Sequence, residues 1–401
     1  MITCKCWTTV FVAILLLPNV AASADPAKEA FQKGKSCLDK GDFVSAIAAF
    51  TEAIRLNPND ATAYNNRGVA YSDKGEHDKA IADCTEAIRL DPKDATAYSN
   101  RGRAYGDKGE HDKAIADCTE AIRLNKKCAK AYCNRGRAYG GKTDLQNAIA
   151  DCTEAIRLNP KLAPAYSNRG NAYGKKGDFD KAIADYNEAI RLNPKLAQAY
   201  NNRGSAYGDK GDFDKTIADY NEAIRLNPKL AEAYHNRGWA YGKRGDFGKA
   251  IADYTEAIRL NPKLALAYNN RGNAYRDKGD FDKAIADYNE AIRLNPRWAE
   301  AYCNRGMIYW KKGDYDKVIA DFTVGLRLNP KSDEAYCTRG SAYGKKGESD
   351  KAIADFTEAI RLNPSMASAY YERGLVYSKK GEKAKAEEDF AQAKKLGYKA
   401  K

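Results

Sequence analysis

A glycine returns every 34 residues along almost the whole chain, and this period constrains the fold more than any other feature. It is the last residue of the tripeptide Asn-Arg-Gly or a close variant, as in "AYNNRGVAY" at residues 63–71. The series comprises Gly68, Gly102, Gly136, Gly170, Gly204, Gly238, Gly272, Gly306, Gly340 and Gly374, and Gly34 extends it backward. The sequence therefore predicts eleven consecutive repeats without linkers. Positions within a repeat are named here by the numbering of the repeat 61–94.

Each repeat has the pattern of two helices packed against each other. An aromatic–glycine–aromatic stripe at helical spacing marks the first helix, and Gly75 supplies the left-handed residue that ends it. A second helix is predicted from near Glu76, with small apolar residues on one face. It ends before Pro92, because proline cannot continue the hydrogen-bond ladder of a helix. The predicted unit is a helical hairpin.

This spacing resembles the tetratricopeptide repeat family. In one repeat the family positions are occupied by Tyr166, Gly170, Tyr173, Ala182, Tyr186, Ala189 and Pro194. The resemblance implies an all-α fold, a right-handed α-solenoid (superhelix) of eleven helix-turn-helix repeats, because a single hairpin cannot bury its apolar faces alone. The predicted repeats are 27–60, 61–94, 95–128, 129–162, 163–196, 197–230, 231–264, 265–298, 299–332, 333–366 and 367–400.

The first 24 residues differ from the repeats. Lys5 precedes a short apolar run at residues 7–17, Pro18 breaks the run, and small residues at 22–24 form a cleavage site. This pattern is typical of a signal peptide, 1–24, with cleavage before Asp25, and it predicts an exported protein, periplasmic or secreted. The apolar run is too short to span a bilayer, and the sequence predicts no transmembrane segment elsewhere.

The net charge of +13 would permit binding to nucleic acid or another anionic surface. The excess positive charge is spread along the repeats instead of forming one basic block, which argues against nucleic acid as a partner. The sequence predicts a protein or peptide partner and leaves the oligomeric state open.

Cysteines recur at position 84 in three repeats, where later repeats carry an aromatic residue, so Cys84, Cys118 and Cys152 are predicted to fill the core. Neighbouring cysteines at one position belong to helices that stack about 8–10 Å apart, beyond the reach of a disulfide. The sequence predicts free thiols.

Arg67 stands where the family usually has an apolar residue. An unpaired charge would be costly in a half-buried site, and Asp83 lies on the facing helix. Ten repeats carry both residues, whereas the first repeat has Lys33 and Ala49 instead. This joint loss predicts structural ion pairs within each repeat, among them Arg67 with Asp83 and Arg203 with Asp219.

An asparagine precedes this arginine in eight repeats, although asparagine is a mediocre helix former. The residues are Asn66, Asn100, Asn134, Asn168, Asn202, Asn236, Asn270 and Asn304. The resemblance implies that such a ladder can hold the backbone of a bound peptide, since an amide both donates and accepts hydrogen bonds. Two other interpretations stay open: the asparagines bond within the helix stack, or duplication copied them.

The first-helix stripe that faces away from the hairpin core varies between repeats, as at Asn65 and His235, and is predicted to provide specificity. Trp239, Met307 and Trp310 are predicted apolar anchors for the peptide. The alternative is that the two tryptophans pack against a neighbouring helix.

"GRAYGGKT", residues 136–143, matches the phosphate-loop pattern, but that loop must follow a strand, and here the glycine belongs to the helical repeat. The sequence predicts no catalytic residue, metal site or cofactor, and not an enzyme. It predicts a non-catalytic scaffold for protein–protein interaction that binds a peptide or protein segment along the concave repeat surface. The alternatives are a structural cell-envelope protein on an anionic polymer or lipid surface, and a regulatory module of a separate enzyme.

Overall fold

The computed structural model describes residues 25–398, so the predicted signal peptide lies outside the described residues. Within that range the chain forms 22 helices and no strand, and consecutive helices pack as pairs. This architecture confirms the predicted all-α solenoid of helix-turn-helix repeats. The chain divides into two compact units, residues 1–172 and 173–401, here called the N-terminal unit and the C-terminal unit.

The helices alternate between the first and second helix of successive repeats. The N-terminal unit contains α1 (Pro26–Asp39), α2 (Phe43–Leu56), α3 (Ala61–Lys74), α4 (His77–Leu90), α5 (Ala95–Asp107), α6 (His111–Leu124), α7 (Ala129–Gly141) and α8 (Leu145–Leu158). The boundary between the units falls inside α9 (Ala163–Lys176). The C-terminal unit contains α10 (Phe179–Leu192), α11 (Ala197–Asp209), α12 (Phe213–Leu226), α13 (Ala231–Lys243), α14 (Phe247–Leu260), α15 (Ala265–Lys278), α16 (Phe281–Leu294), α17 (Ala299–Lys312), α18 (Tyr315–Leu328), α19 (Asp333–Lys346), α20 (Ser349–Leu362), α21 (Ala367–Lys379) and α22 (Lys383–Lys395).

The helix ends fall where the sequence predicts them. Gly75 ends α3 with a φ of 87°, a backbone conformation that glycine adopts without a steric penalty. Glu76 is the N-cap of α4, and Asp91 is its C-cap, directly before Pro92. A tight left-handed turn therefore joins the two helices of this hairpin, and the proline follows the end of its second helix.

The regular spacing of glycine along the chain reflects a close crossing of the two helices in the hairpins. A Cβ added at Gly68 in α3 would lie 2.9 Å from the Sγ of Cys84 in α4. The same atom added at Gly204 in α11 would lie 3.1 Å from Cε1 of Tyr220 in α12. Only a residue without a side chain allows this approach.

The thiols at position 84 belong to the apolar core. Cys84, Cys118 and Cys152 are at most 1% exposed, and all eight cysteines in the described part of the chain are free. Burial raises the pKa of Cys84 to about 12, because the core disfavours the thiolate. These thiols act as small apolar residues that fill the space occupied by Tyr220 and its equivalents in later hairpins.

None of the helices between residues 25 and 398 combines the length and the apolar composition that crossing a bilayer would require.

Candidate functional site

Nine of the arginines that precede the repeat glycine contact an aspartate of their own hairpin. The Nε and Nη2 atoms of Arg67 lie 2.7 and 2.8 Å from the two carboxylate oxygens of Asp83. Arg203 binds Asp219 in the same bidentate way, at 2.8 and 2.6 Å. Hydrogen bonding to the Asp83 carboxylate raises the pKa of Arg67, so the guanidinium stays charged. The structure thus brings these predicted pairs together inside one repeat.

The same arginines also reach the preceding repeat, which the sequence analysis missed. Nη1 of Arg67 donates to Oγ1 of Thr51 at 3.1 Å, and Nη1 of Arg203 donates to Oδ1 of Asn187 at 2.7 Å. The available signal was a threonine or asparagine sixteen residues before the arginine. One guanidinium therefore joins the two helices of its own hairpin and also links that hairpin to its neighbour.

The predicted asparagine ladder contacts the preceding repeat. In six of its members, Nδ2 of the asparagine forms a hydrogen bond with the residue thirty-five positions earlier, at 2.9–3.4 Å between the two heavy atoms. The pairs are Asn100 with Asn65, Asn134 with Ser99, Asn168 with Cys133, Asn236 with Asn201, Asn270 with His235, and Asn304 with Asn269. These contacts are those of the helix-stack interpretation. Nδ2 of Asn100, Asn236, Asn270 and Asn304 contacts one acceptor and keeps a second N–H group, whereas Nδ2 of Asn134 and Asn168 contacts two acceptor atoms.

Position 65 is therefore not part of an exposed recognition stripe. Asn65 is 6% exposed and His235 is 9% exposed, so this position is largely covered by neighbouring side chains, and Asn65 also lines the cavity described below. The physical reason is that the first helices of neighbouring repeats approach each other closely here, and the asparagine at position 66 of the next repeat covers the side chain.

His235 shows how fully these contacts can be satisfied. Burial lowers its pKa, which favours the neutral ring. A neutral ring protonated at Nδ1 donates to Oδ1 of Asn236 at 3.2 Å and accepts at Nε2 from Nδ2 of Asn270 at 3.1 Å. Both ring nitrogens are then engaged inside the stack, and His235 serves packing.

One member of the ladder, Asn66, departs from this scheme. The residue thirty-five positions before it is Phe31, whose side chain has no acceptor, and the Asn66 side chain has no hydrogen-bond partner among the described residues. Asn202 accepts at Oδ1 from Nε2 of Gln198 at 2.8 Å and from Nδ2 of Asn201 at 3.2 Å. The amide of Asn66 is thus not engaged within the described stack.

A cavity of about 520 Å³ opens along the first helices of the N-terminal unit, and it is called the N-terminal groove here. Four predicted asparagines line it: Asn66, Asn100, Asn134 and Asn168. Leu38, Val69 and Leu162 supply apolar surface. Three cations, Arg103, Lys130 and Arg137, also line the groove, and none of its lining residues, all within the described chain, is acidic. The groove therefore combines amides with positive charge.

The cations of the groove differ in how far they are neutralised. Arg103 lies 2.8 Å from a carboxylate oxygen of Asp73, and Arg137 lies 2.6 Å from one of Asp107. The Nε atom of Arg103 is buried without a hydrogen-bond partner in the described structure. Lys130 is exposed and forms no ion pair with any residue between 25 and 398. Lys130 is consequently the most available charge in the groove.

The three predicted apolar anchors lie in the C-terminal unit and differ in exposure. The Trp239 ring packs edge-to-face on Phe213 at 5.9 Å, with Gly208 close by, so it contacts the preceding repeat. Trp310 packs edge-to-face on Tyr315 of its own hairpin at 5.5 Å. Met307 is 39% exposed. Both tryptophans therefore have packing roles, and Met307 presents free apolar surface.

A second cavity, of about 390 Å³, lies beside Trp239 and is called the Trp239 cavity. Its lining includes Asn270, Arg276 and Glu300. Arg276 occupies a position that is glycine in most repeats, and its Nε lies 2.8 Å from Oδ1 of Asp277. This cavity is smaller than the N-terminal groove and carries both signs of charge.

The phosphate-loop pattern at residues 136–143 has a helical explanation. Gly136 lies inside α7, where a Cβ would approach Sγ of Cys152, and Lys142 pairs with Asp112 at 2.5 Å. Gly141 leaves room for the His111 ring, and Thr143 has a φ of 61° where other repeats have glycine. The residues that complete the pattern thus serve the hairpin.

Models of the family described as tetratricopeptide repeat match residues 31–95, 95–128, 129–162, 163–196, 231–264, 253–286, 299–332 and 367–396, and one described as TPR repeat matches 204–245, 272–313 and 340–381. Together they cover nearly all of the described residues. This chain is a tetratricopeptide repeat protein.

Three similar proteins illustrate how far the likeness extends. Hsp70-Hsp90 organizing protein 3 of Arabidopsis thaliana is 44% identical over 45 residues, which is 11% of this chain and 8% of that protein. A tetratricopeptide repeat protein from Parabacteroides merdae is 22% identical with a TM-score of 0.48, covering 63% of this chain and 99% of the other. Yeast Tom70 is 16% identical with a TM-score of 0.44, covering 93% and 92%.

Membership in the tetratricopeptide repeat family carries a general function. Its arrays mediate protein–protein interaction, using the extended surfaces that stacked hairpins create, and are generally non-catalytic.

Proposed function

We propose that this tetratricopeptide repeat protein is a non-catalytic scaffold whose N-terminal groove binds an extended segment of a protein partner. The observation that carries the proposal is the gathering of Asn66, Asn100, Asn134 and Asn168 in one cavity of about 520 Å³. Amides on successive repeats present the same donor and acceptor groups at regular intervals, and such groups bind a peptide backbone of any sequence.

The hydrogen bonds within the stack support this role for the asparagines. The contact from Asn100 to Asn65 orients the amide and uses one of its two N–H groups, so the second remains for a ligand. Asn66 has no such contact and contributes both N–H groups and its oxygen. A side chain fixed in this way loses less conformational freedom on binding than an unrestrained one.

The charges of the groove favour a segment with aspartate or glutamate side chains. Lys130 has no ion-pair partner, and Arg103 has a buried Nε donor without an acceptor among the described residues. An acidic segment would provide the counter-ion for Lys130, whereas a basic one would meet three cations. Charge complementarity of this kind increases the association rate and excludes wrong partners.

Replacing Asn66 with alanine should weaken binding without affecting stability. We expect about a fivefold to tenfold loss of affinity, the effect of roughly one hydrogen bond. The measurement is fluorescence anisotropy with labelled extended peptides of equal length that are acidic, neutral or basic. The melting temperature should be unchanged, because the Asn66 side chain has no intramolecular hydrogen bond.

Asn236→Ala is the matched control, because Nδ2 of Asn236 donates to Asn201 in the C-terminal unit and Asn236 lies outside the groove. It should lower the melting temperature and leave peptide affinity intact. Equal affinity of the wild type and Asn66→Ala for the acidic peptide would remove the ladder from the binding mechanism.

The C-terminal unit supplies apolar contacts in this proposal. Met307, 39% exposed, is the anchor that packing leaves free, and Trp239 borders the cavity that also contains Asn270. Aromatic and methionine side chains are common at the centres of protein interfaces. The partner would then contact both amide groups and apolar side chains.

The protein is further proposed to act outside the cytoplasm, in the periplasm or as a secreted protein. Residues 1–24 have the charge, apolar length and small-residue end of a cleaved leader. Amino-terminal sequencing of the protein from the cell envelope or medium should begin at Asp25. Recovery of the chain with Met1 intact and in the cytoplasmic fraction would contradict export.

A further inference from the structure

A series of ion pairs connects neighbouring repeats along the edge where each hairpin turns. In the C-terminal unit, a lysine or arginine at position 74 binds an aspartate at position 78 of the preceding repeat, at 2.5–2.7 Å. The pairs are Lys210 with Asp180, Arg244 with Asp214, Lys312 with Asp282, Lys346 with Asp316, and Lys380 with Asp350. The aspartate is always the first acidic residue of a second helix.

Within the C-terminal unit the series is interrupted at one place. Gly248 in α14 stands where the other repeats of this unit have the aspartate, and α14 has no acidic residue in its first turn. Lys278, at the end of α15, occupies the cationic position and forms no ion pair with any described residue. A Cβ added at Gly248 would meet nothing within 4 Å. The carboxylate that this lysine would bind is therefore missing from the chain itself.

A cavity of about 660 Å³ lies at this interruption, and it is called the Gly248 notch here. Its lining includes Gly248, Lys278 and the apolar side chains of Ile251, Tyr275 and Phe281. The carboxylates of Asp280 and Asp282 also border the open space.

The remaining charges of the notch are already neutralised. Lys283 lies 2.7 Å from a carboxylate oxygen of Asp280, and Lys312 lies 2.7 Å from one of Asp282. Hydrogen bonding to Lys283 and, less strongly, the charge of Lys278 lower the pKa of Asp280. Lys278 itself forms no ion pair with any described residue. The lining therefore contains three cations and two carboxylates, which leaves an excess of one positive charge.

We propose that the Gly248 notch docks an acidic side chain of a protein partner, an aspartate or glutamate that forms with Lys278 the ion pair missing from this chain. Apolar residues beside that acid would pack on Tyr275 and Phe281. The site lies at the turn edge of the C-terminal unit and shares no residue with the N-terminal groove, so it does not depend on the function proposed for that groove.

The absence of this one ion pair has little effect on the stability of the fold. The notch can therefore be tested with variants that fold normally. The aspartates of the intact pairs are 78–88% exposed, and exposed ion pairs of this kind contribute little to stability. Gly248 lies in a helix without a positive φ, so an aspartate fits its backbone conformation. The variant Gly248→Asp should fold as the wild type does, with Lys278 paired inside the chain.

The test is a nuclear magnetic resonance titration of the full chain with the capped peptide Ac-Leu-Glu-Leu-NH2 and its isostere Ac-Leu-Gln-Leu-NH2. The glutamate peptide should cause saturable shifts in the amide signals of Gly248 and Lys278, with an affinity about twofold to fivefold above that of the glutamine peptide, the range expected for an exposed ion pair. Gly248→Asp and Lys278→Gln should each abolish these shifts. Lys263→Gln, which changes another exposed lysine without an ion pair in the described chain, should leave them intact.

Three results would overturn the proposal: equal shifts with both peptides, shifts that rise linearly without saturation, or unchanged binding of the glutamate peptide to Gly248→Asp. The melting temperature of each variant, expected to remain near that of the wild type, separates loss of the site from loss of the fold.

Discussion

Replacing Asp219 with alanine should lower the free energy of unfolding of the C-terminal unit by about 2–4 kcal/mol. Arg203 would lose two charge-assisted hydrogen bonds, of 2.8 and 2.6 Å, and would keep its hydrogen bond to Asn187 and its contact with the Tyr200 ring. The two side chains are 19% and 9% exposed, so water cannot fully replace the carboxylate. The cost is that of a largely buried charge without a counter-ion.

Urea unfolding followed by circular dichroism measures this loss, and hydrogen exchange should locate it in α11 and α12. Glu222→Ala is the matched control on the same helix, because it breaks an ion pair with Arg225 whose side chains are 67% and 32% exposed. We expect a change below about 0.5 kcal/mol for the control. A similar loss for both variants would mean that burial of the Arg203–Asp219 pair has no energetic importance.

Replacing Gly272 with alanine should lower the free energy of unfolding by about 1–3 kcal/mol, the usual effect of overpacking. The added Cβ would lie 2.8 Å from Cε1, 3.0 Å from Cδ1 and 3.2 Å from Cζ of Tyr288. That ring is fully buried, and its hydroxyl donates to Oδ1 of Asn273 at 2.8 Å. The ring cannot move away without losing packing or this hydrogen bond, so the hairpin must open.

Gly242→Ala is the control for this substitution, since a Cβ at Gly242 in α13 would meet nothing within 4 Å. It should raise stability by up to about 1 kcal/mol, because alanine favours the helix over glycine. Thermal unfolding of the two variants tests the prediction, because Gly272→Ala should lower the melting temperature and Gly242→Ala should raise it. Stabilisation by Gly272→Ala would show that the two helices do not cross as closely as described.

The sequence predicted the hairpins well because their signals are local. Gly75 marks a helix end through its own backbone conformation, and its φ of 87° confirms the prediction. The pairing of Arg67 with Asp83 followed from their joint absence in the first repeat, and the two side chains meet at 2.7 Å. In both cases residues within one hairpin restrict each other.

The sequence was less informative about contacts between repeats, because several residues at the same spacing could be the partner of one side chain. Asn65 was expected on an exposed stripe, yet it is buried and accepts a hydrogen bond from Asn100 at 2.9 Å. Trp239 was weighed as an anchor or as a packing residue, and its contact with Phe213 lies on the preceding repeat. A helical stripe shows which side chains share a face, but not how far the next repeat covers that face.

The sequence by itself determined the repeat, the hairpin, the family and the arginine–aspartate pairs, since all of these depend on residues within one 34-residue period. The tertiary structure decided which asparagine amide has no intramolecular hydrogen bond and which cations line the N-terminal groove. It also decided that Lys278 has no ion-pair partner among the described residues. Those properties depend on contacts between residues thirty to thirty-five positions apart on stacked hairpins, such as Lys210 with Asp180 and Asn100 with Asn65. Only the position of one repeat on the next brings these atoms within a hydrogen-bond length.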